Sequence, residues 1–353
     1  MARAVYFAGL QLKEPRGVSS EDVIFYKMVD SLLSHENKLS IFFLPTVTDQ
    51  ELFVPPPQSI RTRITLQYFS SWSDYIIVTR PFSFTTQEVE NIALRIRGNG
   101  DYRIVASLAS PRLSSLRTLA SRFSGKVDGY EIDLGLTYLL TGGKRGFESY
   151  AIDMVEEFVS DSSRPVFIKV SPTTPFSHEF LQQLKSIGIA ALIFSPHLTY
   201  SIGKEFFRIH APALSRIYAL IWAKLIAGTN LPSAYISDIP EQFFGELAVE
   251  NTFDVLLFDT ALLSGVVDPP RTTGLENEIP VRWPHIPELL RPAIDVSRDP
   301  HCINLCPYRA FEADSRSQAL HTSIIIASEK CNHCGLCLSC KNLKLVANII
   351  PEE

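Results

Sequence analysis

Short apolar runs rich in β-branched and aromatic residues alternate with longer helix-like segments from the N-terminus to about residue 265. The candidate strands are Ala4–Phe7, Leu39–Phe43, Tyr75–Thr79, Arg103–Ala106, Gly129–Asp133, Val166–Val170, Ala191–Phe194, Ala234–Ser237 and Val255–Phe258. Between them lie "SSEDVIFYKMVDSLLSH", with a serine cap and an acidic first turn, and "TTQEVENIALRIRG". "GFESYAIDMVEEFVSD", "SHEFLQQLKSIG" and "APALSRIYALIWAKLIA" follow. Regular strand–helix alternation calls for a parallel sheet, because only a crossover helix returns each strand in the same direction. About eight such units favour closure, so the expected fold class is α/β, a (β/α)8 TIM barrel.

The rhythm breaks at 266–300, where "VVDPPRTTGLENEIPVRWPHIPELLRPAIDVSRDP" holds seven prolines. Proline removes a backbone donor and fixes φ, so this stretch is expected to form neither regular helix nor sheet and to act as a wrapping linker. The chain divides into a barrel at 1–265, a proline-rich linker at 266–300 and a small module at 301–353.

All six cysteines fall in that last module, as Cys302-x-x-x-Cys306-Pro307 and Cys331-x-x-Cys334-x-x-Cys337-x-x-Cys340. Two-residue spacings let successive thiolates curl around one centre. In the bacterial ferredoxin run C-x₂-C-x₂-C-x₃-C-P the fourth cysteine ligates the other cluster. By that rule Cys331, Cys334 and Cys337 supply three ligands and Cys306, the one before proline, the fourth. Cys302 and Cys340 are then non-ligands, and the expected cofactor is a single 4Fe-4S cluster. Zinc is the alternative, with His301, His321 or His333 able to replace a thiolate. Zinc ribbons, however, usually carry two separated Cys-x-x-Cys knuckles. Disulfides are the weakest option, since "MARAVYFAGLQLKEP" lacks the pattern of a signal peptide and the protein is expected to be cytoplasmic. The tail also resembles ferredoxin between its motifs. There "CPYRAFEADSRSQALHTSIIIASEKCNHCGLC" reads as helix turn, hairpin and cluster loop.

Residues 3–265 resemble the dihydroorotate dehydrogenase family of flavin-dependent barrels, in order but through scattered segments. "VYFAGLQLKEPRGVSS" looks like that family's opening hairpin and first barrel strand. "IVASLAS" and "ASRFSGKVDGYEIDLG" are similar to the units leading into its substrate loop. "RPVFIKVSPTTP" resembles the strand whose lysine lies near the flavin, "APALSRIYAL" a helix after a phosphate-side loop, and "YISDIPEQFFGELAVENTFDVLLFDTALL" the last two phosphate-binding units. The resemblance implies FMN at the strand C-termini, with Lys169 beside the ring and Asp133 and Tyr138 as neighbouring polar groups.

The departures fall on the chemistry. The family's Asn-Leu-Ser-Cys-Pro-Asn stretch matches Asp133-Leu134-Gly135-Leu136-Thr137-Tyr138, so Leu136 stands where a catalytic base often sits. A second flavin-side lysine falls on Pro45. Gly-Gly-Ile becomes Ser237-Asp238-Ile239, Gly-Thr-Ala becomes Asp259-Thr260-Ala261, and Ser-Gly-Pro becomes His210-Ala211-Pro212. Phosphate needs bare backbone N–H groups and no nearby anion. At about 5 Å in an effective dielectric of ~20, each carboxylate–phosphate charge pair costs on the order of 3 kcal/mol. FMN is therefore expected to be weak or absent. If it binds, its phosphate rests on Thr260 and nearby amides with both aspartates turned outward. Lys169 has a structural alternative, an ion pair with a carboxylate such as Asp133.

A net charge of −5 with no focused basic patch argues against a nucleic-acid surface. Membrane spanning is excluded by the lack of roughly 18 uninterrupted apolar residues, since "IYALIWAKLIAG" is broken by Lys224. Three functions remain open: a flavin and iron–sulfur oxidoreductase with its own small-molecule substrate, a non-catalytic barrel subunit docking its cluster on a flavoprotein redox partner, or a zinc-stapled structural protein.

Overall fold

A computed structural model describes residues 5–22, 39–49, 81–82, 84–174, 176–202, 205–210, 212–226, 229–237 and 252–259, with Phe25, Tyr26, Val29 and Leu33 on one helix. It also describes strands at 62–64, 77–79, 290–294, 311–313, 324–326 and 343–347. Eight parallel strands close on themselves in the order Arg16–Val18, Ile41–Phe43, Arg103–Ala109, Gly129–Asp133, Val166–Val170, Ala191–Phe194, Ser233–Ser237 and Val255–Phe258. The last pairs with the first through Leu257↔Gly17, and Ile41↔Arg103 joins the second to the third. The fold is a (β/α)8 TIM barrel.

Strand alternation sorts the side chains into two cores. Phe42, Ile104, Ile132, Ile168, Leu192 and Tyr235 face the surrounding helices. Their neighbours Ile41, Phe43, Val105, Phe167, Ile193 and Leu257 point into the barrel, where Phe7 and Leu12 join them. Gly17 sits on the inward face, where a Cβ would lie 2.3 Å from the Ile41 carbonyl oxygen. Gly129 yields its space to the Phe167 ring, 2.8 Å from where its Cβ would be. The inner face then changes character along each strand. Two residues further on, Val105 gives way to Ser107, Phe167 to Lys169, Leu257 to Asp259 and Ile193 to Ser195. The barrel is apolar at its N-terminal end and charged at its C-terminal mouth, the end where barrels of this kind do their chemistry.

The expected helices form at Thr86–Asn99, Phe147–Asp161, His178–Ile187 and Pro212–Ile226. Thr85 and Glu88 make a reciprocal capping box at the first of these, and Ser177 accepts from the Phe180 N–H at the third. Two further helices, Leu113–Arg122 and Leu134–Leu140, complete crossovers. Among the described residues no helix is long and apolar enough to cross a membrane.

Three expectations need correction. Ala4–Phe7, grouped with the alternating strands, belongs instead to the opening hairpin that the resemblance implied, with Val5–Phe7 antiparallel to Leu10–Leu12 and the first barrel strand following at Arg16–Val18. Ile77–Thr79 lies in a separate antiparallel sheet with Thr62–Ile64, Glu205–His210 and Leu198–Ile202. Short apolar runs carry no information about which sheet they join. The 266–300 stretch, expected to lack sheet, contains the strand Leu290–Ile294. Its Pro292 is tolerated because pairing to the second neighbour is confined to Ile294↔Ile324, leaving a strand on one side only of the proline. Phe311–Ala313 pairs with Ile324–Ile326 as the tail hairpin expected from sequence.

Candidate functional site

The charged side chains at the barrel mouth meet around Lys169. This residue stands one before the end of the fifth barrel strand, on its inward face, and is only 1% exposed. Its Nζ lies 2.8 Å from Asp133 Oδ2, 3.2 Å from Glu21 Oε1 and 3.3 Å from Glu131 Oε1, and donates to Ser20 Oγ at 2.6 Å. Asp133 comes from the adjacent fourth strand, directly in register with Lys169. Arg208, from the hairpin Leu198–Ile202/Glu205–His210, reaches Asp133 Oδ2 at 3.2 Å and Glu21 Oε1 at 3.3 Å. That hairpin therefore lies over the C-terminal ends of the strands.

Burial opposes every charge here, and pairing decides the outcome. For Lys169 burial pulls the pKa down, yet Asp133, Glu131 and Glu21 together raise it, so the ammonium stays protonated. For Glu21 burial pushes up, but Arg208, Lys169 and His197 hold it well below the ordinary carboxylate range. Glu131 goes the other way. Burial raises it, and the help of Lys169 and the hydroxyls of Ser107 and Ser20 does not offset this. Its Oε1 accepts from Ser20 at 2.8 Å and Ser107 at 2.6 Å, while Oε2 has no hydrogen-bond partner. Of the two glutamates, Glu131 is thus the one whose environment favours the protonated form.

This asymmetry carries a prediction. A group whose folded pKa is raised stabilises most below the unfolded value, about 4.3 for Glu, and loses that contribution as pH rises through its folded value. The stability advantage of wild type over Glu131→Gln therefore shrinks as pH rises. At neutral pH this variant is expected to cost less than Asp133→Asn in urea unfolding midpoints. The reverse order would show Glu131 to be a fully ionised partner of Lys169.

A second group adjoins the first. His197 Nδ1 bonds the Glu21 carboxylate, His197 Nε2 lies 3.3 Å from Asp259 Oδ2, and His210 Nδ1 bonds the same Asp259 oxygen. The two imidazole centroids are 4.3 Å apart, and all three residues are buried.

The sequence-predicted residues divide sharply. Lys169 and Asp133 do meet, in the ion pair anticipated as the structural alternative. Leu136 is fully buried against Phe82 and Ala109, an apolar contact without a base. Tyr138 is not part of the mouth network: its ring packs edge-on to Phe147 at 5.1 Å, and its hydroxyl lies beside Gly143. Asp259, expected outward if a phosphate were held, points inward to the two histidines. Thr260, Asp238 and all six cysteines, including Cys306, Cys331, Cys334 and Cys337, lie outside the described residues.

Glu21, Glu131, His197 and Arg208 were missed. Glu21 was read with the serines as a helix start, whereas the cap is Asp22, whose Oδ1 accepts from the Phe25 N–H at 2.9 Å. Glu131 stands two residues before Asp133 in "GYEID", which places both on the inward face. Arg208 and His210 show the same two-residue spacing in "EFFRIH". That spacing, polar on one face of an otherwise apolar strand, was the available signal.

No protein-family model matches the chain, and no curated protein does. Among solved structures, a Rubisco-like protein from Rhodopseudomonas palustris aligns with a TM-score of 0.38 at 11% identity, covering 69% of this chain and 56% of that one. A putative dihydrodipicolinate synthase family protein from Coccidioides immitis gives 0.42 at 10% identity, over 71% and 68%. TcOYE with pHBA gives 0.43 at 10% identity, over 73% and 88%. The chain thus spans little more than half the length of the first of these.

Proposed function

We propose that this chain is an iron–sulfur electron-transfer protein of the dihydroorotate dehydrogenase-like class, in which the barrel is a scaffold rather than a flavin enzyme. The tail would carry a 4Fe-4S cluster on Cys306, Cys331, Cys334 and Cys337, supported by their tandem short spacings and the distal Cys-Pro. When bound, such a cluster supplies one-electron chemistry, and a redox partner protein would exchange electrons with it.

The observation that carries the scaffold reading is the packing of the mouth. A flavin needs an open face at the strand ends and a phosphate site free of anions. Here Lys169, Arg208, Glu21, Glu131, Asp133, His197, His210 and Asp259 are each 3% exposed or less and are bonded to one another. Asp259 directs its carboxylate into the mouth where a phosphate-side group would be expected. Among the described residues, this packing supports a barrel that works without FMN. Ile217, Leu220 and Ile221, exposed on one face of the helix Pro212–Ile226, offer apolar surface for a protein partner.

A second reading, a redox enzyme with its own small substrate, is favoured by one feature: burial raises the pKa of Glu131 beside the Lys169 ammonium, 3.3 Å away, and perturbed groups of this kind are common in acid–base sites. Anaerobic purification with absorption spectra and assays for iron, zinc and flavin separates the readings. The scaffold reading expects iron and sulfide without stoichiometric FMN. It also expects dihydroorotate turnover at least 10²–10⁴-fold below that of an enzyme with a placed base, since Leu136 cannot accept a proton. Stoichiometric FMN with such turnover would establish the enzyme instead.

A further inference from the structure

We infer that His197, His210 and Asp259 form a binding site for one divalent transition-metal ion, of the zinc or ferrous class, inside the barrel mouth. Their ligand atoms all lie within 4.8 Å of one another, the separation expected of groups sharing one ion, and all three residues are buried. Two imidazoles and a carboxylate are the donor set that zinc and non-haem ferrous sites use, with further positions left for water or a small anion.

Two features favour an ion over a fortuitous cluster. The first is orientation. Glu21 bonds Nδ1 of His197, which fixes the ring and turns Nε2 towards Asp259, as outer carboxylates do for metal-ligating histidines. Ser195 Oγ, which donates to the same Glu21 carboxylate at 2.9 Å, holds it in place. The second is charge. Glu21, Asp133 and Asp259 are three buried carboxylates, against Lys169 and Arg208 as the permanent cations beside them among the described residues. A divalent cation at Asp259 supplies the balance that buried anions require.

The ligands come from three places: the loop after the sixth barrel strand, the end of the hairpin strand Glu205–His210, and the residue after the eighth strand, Val255–Phe258. One ion would therefore tie the hairpin to the barrel ends. This site is independent of the cysteine tail, and its failure would leave the cluster assignment standing.

The test uses the full chain, purified anaerobically and stripped with a chelator, then titrated with Co²⁺ and with Zn²⁺ in competition. Cobalt on nitrogen and oxygen ligands gives weak visible d–d bands, whereas cobalt on thiolates adds intense near-ultraviolet charge transfer. The expected result is d–d absorption without that charge transfer, displaced by Zn²⁺, together with a Zn²⁺-dependent rise in Tm. His210→Gln and Asp259→Asn should abolish both, and Glu21→Gln should weaken binding by about 10–100-fold. Unaltered binding in a folded His210→Gln variant would overturn the site. So would a wild-type protein whose only cobalt signal is thiolate charge transfer and whose Tm ignores Zn²⁺. That wild-type comparison decides the matter even if the variants do not fold.

Discussion

Replacing Lys169 with methionine is expected to destabilise the folded chain by about 3–5 kcal/mol, the usual consequence of removing one partner from a buried ion pair. Methionine fits the space of the lysine stem but leaves Asp133, Glu131 and Glu21 without the ammonium that lies within 3.3 Å of each. Arg208 still reaches Asp133 and Glu21, so part of the charge remains compensated. Glu131 has no such substitute and would take up a proton. The loss should appear as a lower urea midpoint with an unchanged slope, and a fall in Tm on the order of 10 °C. If Lys169→Met were as stable as wild type, the mouth would be open to water and Lys169 available for other work. The scaffold reading would then lose its main support.

The second large effect concerns the tail. Single serine substitutions at Cys306, Cys331, Cys334 or Cys337 are expected to abolish the cluster, while the same change at Cys302 or Cys340 spares it. The reasoning is the crossover rule, in which the cysteine before proline serves a cluster whose other ligands are remote in sequence. Cys340 is the discriminating position, since its two-residue spacing and the absence of a following proline depart from the ferredoxin run. Iron and sulfide content with the visible absorption of each variant reads the result. A Cys340→Ser protein without iron beside an iron-bearing Cys306→Ser protein would reassign the ligands.

Much of the barrel was legible because its strands obey a two-residue period and its helices carry their own caps. Runs such as "RPVFIKV" and "GYEID" show β-branched and aromatic residues at the right length, and strands formed at Val166–Val170 and Gly129–Asp133. Sheet membership was not legible. "IVT" looks like a barrel strand in isolation, yet its partner, Glu205–His210, is fixed by tertiary pairing.

The mouth was half legible for a related reason. Lys169 and Asp133 attract notice as charges at strand ends. Arg208, in contrast, lies 75 residues from Asp133 and enters from a hairpin whose position over the barrel no local pattern encodes. Glu21 was hidden by its neighbours, since a Ser-Ser-Glu-Asp run is an equally good helix start. A charge read as part of an acidic first turn is held well below the ordinary carboxylate range in a buried network because Arg208, Lys169 and His197 converge on it.

A cluster in the tail and a barrel without flavin are tested together by electron paramagnetic resonance of the anaerobically purified, dithionite-reduced full chain, with flavin extraction on the same sample. The expected spectrum is that of a reduced 4Fe-4S cluster, lost in Cys306→Ser, with no stoichiometric flavin in the extract. A silent spectrum with zinc bound in place of iron would contradict it, as would an extract holding one FMN per chain.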